Sequence, residues 1–184
     1  MNINMKQLVS KSIAVCMLTL MLAACNNAKQ YTDEKVSNEQ SPSSITQLEP
    51  AMKMQNDQLL AVYEQYELLT QALISGNSKE ARIASNAVEA GASQLLGGTD
   101  IADKAGAITA TSNIDEQREA FAALSGSVIA LVKQTGLRAG KLYVDYCPMA
   151  RKNSGAYWLS RQSSIRNPYF GEQMMTCGEI SEIL

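Results

Sequence analysis

The sequence predicts a mainly α domain: an up-down bundle of three to four helices with a small C-terminal β-hairpin-like segment, spanning residues 48–184. Three observations carry that expectation. Apolar residues recur at helical spacing between Leu48 and Gly136, and the runs end at glycines. After Gly140 the period changes to two. Aromatic and sulfur-bearing side chains then gather in the same stretch.

Taken in order, the first helix is expected from Leu48 to Ile74, with Leu59, Tyr63, Tyr66, Leu69 and Leu73 on one stripe and Gly76 as its stop. Asn77, with Glu80 three residues on, is a variant of the capping box and opens a second helix over residues 78–96. Its inner face would be Ala81, Ala84, Val88, Ala92 and Leu95, small enough for close helix-helix approach, and Gly97-Gly98 would end it. Residues 101–108 read as a short helical turn. Ser112 or Asn113 begins another long helix, with Asp115 and Glu116 at its positive end and Lys133 near its negative end. Phe121, Leu124, Val128 and Leu131 would form its buried stripe, beside Ile129 and Val132, and Gly136 would close it. Beyond Gly140, Leu142, Val144 and Tyr146 alternate as one side of a strand. Residues 151–155 are turn-like, and 156–160 would be the returning strand. Asn167-Pro168 and Gly171 break the remainder.

The N-terminus reads as an address. Lys6 and Lys11 precede an apolar run over residues 12–21, too short to span a bilayer, where ~20 apolar residues are needed. Leu22-Ala23-Ala24-Cys25 follows, the pattern of a bacterial lipobox. Residues 1–24 are therefore expected to be a lipoprotein signal peptide, and Cys25 to carry the lipid that anchors the chain to a membrane. Asn26, following that cysteine, favours the outer membrane over other envelope sites, with the chain facing the periplasm. Residues 25–47, rich in Asn, Gln, Ser, Lys and Glu, would form a flexible tether. Removal of the leader takes Cys16 with it and leaves 14 basic and 18 acidic residues.

Composition excludes several function classes. The whole chain has a net charge of −2, with no basic surplus to neutralise phosphates, so no nucleic-acid partner is expected. Histidine is absent, which rules out Ser-His-Asp and Cys-His nucleophile pairs and His-ligated metal centres built from this chain. No enzyme and no catalytic residue are expected. Asp145 and Glu172 are the carboxylates nearest the motifs, and acids at this density are more simply solvated surface.

The informative residues are Cys147-Pro148-Met149 and Met174-Met175-Thr176-Cys177-Gly178, with Asn167-Pro168-Tyr169 between them. Thiolates and thioethers suit soft cations, so Cys147, Met149, Met174, Met175 and Cys177 are candidate ligands for Cu(I) or Ag(I). The simpler reading is a disulfide between Cys147 and Cys177, stable in the envelope, with the methionines as core filling. Thiol redox catalysis through a Cys-x-x-Cys is not supported, since no such motif is present. Met52 and Met54 form a weaker Met-x-Met hint, more simply core packing.

Across residues 116–178 the sequence resembles a bacterial domain of unknown function found in periplasmic lipoproteins. That domain also occurs fused to the C-terminus of copper/silver efflux membrane-fusion (periplasmic adaptor) proteins. The resemblance rests on Gln117–Ser125, Leu142–Ala150, Ala156–Ser160, Ile165–Gly171 and Met175–Gly178, with the helical part from about Met54 as the domain's variable half. It implies an association with copper or silver handling and an efflux adaptor or other envelope protein as partner. Cys147, Met149, Met175 and Cys177 are the motif positions it carries over, and Met174 is a local addition. A related heavy-metal motif places His after Cys-Pro-Met, where this chain has Ala150. Two functions are thus expected as alternatives: a lipid-anchored binding module for Cu(I)/Ag(I), or a disulfide-stapled protein-interaction module without metal.

Overall fold

In a computed structural model, residues 51–184 are described. The expected signal peptide, the lipidated Cys25 and the tether fall outside them. Four helices, α1 (Asp57–Ile74), α2 (Ser78–Ala92), α3 (Thr99–Thr109) and α4 (Ile114–Thr135), follow one another, each packing chiefly on the next. The short strand β1 (Lys53–Met54) precedes them and pairs with β2 (Leu137–Ala139), which follows them; β3 (Tyr143–Cys147), β4 (Ala156–Ser160) and β5 (Glu179–Ile183) then form a three-stranded antiparallel sheet ordered β4-β3-β5. The fold is mainly helical with a small C-terminal sheet, as expected.

The helix starts follow local chemistry. Asn56, Asn77 and Asn113 each turn a side-chain oxygen onto the first free N–H groups of α1, α2 and α4. Gly76 closes α1 at φ +70°, a conformation that favours glycine. The buried faces are the expected ones: Leu59, Tyr63, Tyr66, Leu69 and Leu73 on α1, and Ala81, Ala84, Val88 and Ala92 on α2. On α4, Phe121, Leu124, Val128, Ile129 and Val132 are buried, whereas Leu131 is only half-buried against the core.

Three elements differ from expectation. The chain before α1 is a strand, because Lys53 and Met54 pair with Ala139 and Leu137 across the whole helical unit, and the helix begins only at Asp57. Met54 is fully buried, so this member of the Met-x-Met pair is core. α2 ends at Ala92, four residues early, and Leu96 lies on the surface in the turn that follows. Residues 99–109 make a full eleven-residue helix rather than a turn, with Ile101, Ala105 and Ile108 buried and the Ser85 hydroxyl of α2 donating to the Ala105 carbonyl at 2.8 Å.

The hairpin β3–β4 is in register from Tyr143↔Ser160 to Cys147↔Ala156. Its connection contains a tight left-handed turn, Arg151, Lys152 and Asn153 having φ of 53°, 54° and 68°. The returning C-terminal strand β5 was not expected. A row of aromatic rings ties sheet to helices: Tyr63, Tyr66, Phe121, Tyr169 and Trp158 follow one another at centroid spacings of 5.9, 5.3, 5.8 and 5.9 Å. Within it the Tyr66 hydroxyl pairs with Ser125 Oγ at 2.7 Å and accepts the Leu159 N–H at 3.1 Å, joining α1, α4 and β4.

Candidate functional site: the Cys147–Cys177 pair

Cys147 is the last residue of β3 and is fully buried. Cys177 follows a 3-10 turn (Gly171–Met174), lies just ahead of β5 and is half-buried. Because β5 lies antiparallel to β3, with Tyr146 opposite Glu179, the two cysteines arrive at the same end of the sheet. Their sulfurs are 2.8 Å apart. No S–S bond joins them in this structure. The hydrogen bond to Cys147, followed by burial, pushes the Cys177 thiol up to about 11, so Cys177 carries its proton at neutral pH. An oxidant or a soft cation acting on the pair must displace that proton.

Asn167 holds the Cys177 segment in place. It is fully buried. Its Oδ1 accepts the N–H groups of Tyr169 at 2.7 Å and Phe170 at 3.2 Å, and its Nδ2 donates to the Cys177 carbonyl at 2.7 Å. Its own N–H donates to the Met175 carbonyl at 2.8 Å. The Asn-Pro-Tyr motif was legible as a turn, since asparagine bonds its own backbone two residues on. Its reach to Cys177 was not, because that contact depends on how the loop folds back.

The methionines are dispersed. Met149 is exposed and lines a cleft with Arg118, Glu119, Arg151 and Phe170. Met175 lines a different groove, of about 540 Å³, beside Leu68 and Ile83 of α1 and α2. Neither cysteine lines either cavity. Met174 is half-buried at the end of the 3-10 turn. The structure therefore brings the two thiols together and leaves Met149 and Met175 facing different clefts. Among the described residues, no cluster of three or more Cys, Asp or Glu side chains is placed to hold a metal ion.

The two acids occupy unlike surroundings. Glu172 is exposed, on the rim of the groove that Met175 lines. Asp145 is fully buried in β3, two residues before Cys147 and so on the same face of the strand. Neither of its carboxylate oxygens has a hydrogen-bond partner among the described residues. Burial alone pushes its carboxyl up to about 7. The expectation of a solvated acid at this position is therefore corrected. Position 145 lies opposite Trp158 on β4, in a sheet face that the helices cover.

Residues 62–140 match the family described as Protein of unknown function (DUF3347). The matched stretch runs from α1 into the chain just beyond β2 and ends before Cys147, so the thiol pair lies outside it. No curated protein and no solved structure matches the chain. What the comparisons establish is a likeness of the helical part to a domain of unknown function.

Proposed function

We propose that this protein is a lipid-anchored accessory module of the cell envelope whose working part is the Cys147–Cys177 pair, taking Cu(I) or Ag(I) as cargo when reduced. The observation that supports this most directly is the contact of the two sulfurs at 2.8 Å at one end of the sheet, one thiol buried and its partner half-buried. Two adjacent thiols are a soft donor set, and no histidine is present to favour a harder metal. The half-buried Cys177 gives the cation access, while Cys147 supplies a dry side. In this reading the chain sits on the periplasmic face of the outer membrane through Cys25 and works beside a metal-efflux adaptor. Met149, Met174 and Met175 take part only if the loops that carry them move toward the pair.

The same contact favours a second reading. An oxidised pair would staple the loop before β5 to β3 and present the sheet as a rigid protein-interaction surface without metal. One titration separates the two. The reduced protein is titrated with Cu(I) against a colorimetric chelator, beside Cys147→Ser. Binding of one equivalent by the native protein, lost in the variant, is the expected result. No competition by the native protein would leave the staple as the function of the pair.

A further inference from the structure

We propose that Asn167 is a positioning residue for the thiol pair: its side-chain amide holds the Cys177 backbone so that Sγ of Cys177 meets Sγ of Cys147. The inference rests on the pair being the working site and adds to it the group that sets how readily the pair closes.

Three observations carry it. First, Asn167 spends its whole side chain on this loop: Oδ1 takes the N–H groups of Tyr169 and Phe170, and Nδ2 reaches the Cys177 carbonyl at 2.7 Å. Second, the backbone of the same residue binds the loop a second time, its N–H donating to the Met175 carbonyl at 2.8 Å and its carbonyl accepting the Gly171 N–H at 3.0 Å. Third, the turn that follows Asn167 is itself fixed to the core. Arg118 of α4 donates to the Pro168 carbonyl at 3.1 Å, and the Tyr169 hydroxyl donates to the Tyr157 carbonyl of β4 at 2.7 Å. The position of Cys177 is thus referred through Asn167 to α4 and to β4, whose Ala156 lies opposite Cys147. A buried amide with all its polar atoms engaged is stiff, and losing its donor leaves the Cys177 carbonyl without that partner. Pre-ordering two reacting groups raises their effective concentration toward each other.

The consequence is measurable in thiol-disulfide exchange. Closure forms the Cys147–Cys177 bond with loss of two protons and two electrons. The oxidant is a small-molecule disulfide, glutathione disulfide, whose S–S bond breaks to give two glutathione thiols. The full chain is equilibrated in glutathione buffers, quenched by alkylation, and the closed fraction of this pair is read by peptide mass spectrometry. Asn167→Asp is the informative variant: it keeps an oxygen for Tyr169 and Phe170 and places a carboxylate oxygen, an acceptor, where the donor to Cys177 stood. Tyr169→Phe is the comparator, since it removes a hydrogen bond of the same loop but leaves the link from Asn167 to Cys177 intact.

The expected result is a shift of the equilibrium toward the open dithiol by about tenfold in Asn167→Asp, the size one hydrogen bond supports. Tyr169→Phe should stay within about twofold of the native protein on the same scale, even where its melting temperature falls. Equal shifts in the two variants, or none in Asn167→Asp while the native pair closes normally, would overturn the positioning role and leave the pair itself standing. A native pair that fails to close at any glutathione ratio overturns the positioning role together with the staple, while the Cu(I) titration alone decides the metal reading.

Discussion

The helical part, α1 to α4, and the C-terminal part, β3 to β5, are built by opposite strategies. Each helix in the first is specified within its own segment, by an asparagine cap at the start of three of them and an apolar stripe along the length. It packs chiefly on the next helix in sequence. The C-terminal part is held by contacts across the chain. β5 meets β3, Arg118 of α4 donates to the Pro168 carbonyl, and the Tyr66 hydroxyl of α1 accepts the Leu159 N–H of β4. The family likeness falls on the first part, while the thiols, the orphaned carboxyl and the buried Asn167 amide fall on the second. A repetitive, locally encoded support thus carries a non-local segment in which polar chemistry is buried, and the two should respond differently to substitution.

The largest effect is expected at the joint between them. Trp158→Ala empties a fully buried site that packs edge-on against Tyr169 and should cost about 3–5 kcal/mol in urea denaturation. A cost below about 1 kcal/mol would mean that the sheet is not part of the cooperative unit.

Asp145 should make the C-terminal part pH-sensitive. Its carboxyl has an ordinary value of 3.8 and is raised in the folded chain to about 7, so the fold favours the protonated form. Its contribution is therefore full below about pH 4, falls as the pH climbs, and is gone above about pH 7. The nearby Tyr66 hydroxyl, itself raised by burial, stays neutral throughout this window. Denaturation midpoints measured from pH 4 to 8 should fall in the native protein and flatten in Asp145→Asn. An unchanged slope in the variant would assign the pH dependence elsewhere.

Two glycines sharpen the contrast further. Gly171 has φ +55°, and an added Cβ would lie 2.6 Å from the Ile74 carbonyl oxygen and 2.7 Å from Arg118 Nη2. Gly171→Ala should cost about 2–3 kcal/mol through strain and collision together. Gly76 has φ +70° with nothing near its missing Cβ, so Gly76→Ala should cost only the backbone preference, about 1 kcal/mol. Equal costs in thermal denaturation would show that the close approach at Gly171 relaxes freely. The smallest effect is expected at a helix start: Asn77→Ala removes one cap bond, to the Glu80 N–H, and should cost about 0.5–1 kcal/mol.

Legibility followed the range of the interaction. The stripes of α1, α2 and α4 and the asparagine starts of α2 and α4 can be read because each signal lies within four residues of itself, whereas the Asn56 cap of α1 was missed because the apolar pattern continued upstream of it. The short α3 was underread, since eleven residues give barely three turns of pattern. β5 could not be read: every one of its five residues is exposed, so no apolar alternation marks it. Asp145 looked like surface because charge in a sequence carries no record of depth, and only the pairing of β3 between β4 and β5 placed it inside.

By itself, then, the amino-acid sequence determined a mainly helical domain, where α2 and α4 begin, the apolar stripes of its long helices, and that sulfur and aromatic residues concentrate at the C-terminal end. Tertiary structure alone decided that Cys147 and Cys177 touch, that Met149 and Met175 face different clefts, that Asp145 is buried without a partner, and that Asn167 grips Cys177. The physical reason is the same in each case. Helical periodicity and capping are local free-energy terms, expressed in any chain that carries the pattern. Contacts between residues thirty or more positions apart exist only after burial of the common core has fixed the backbone that presents them.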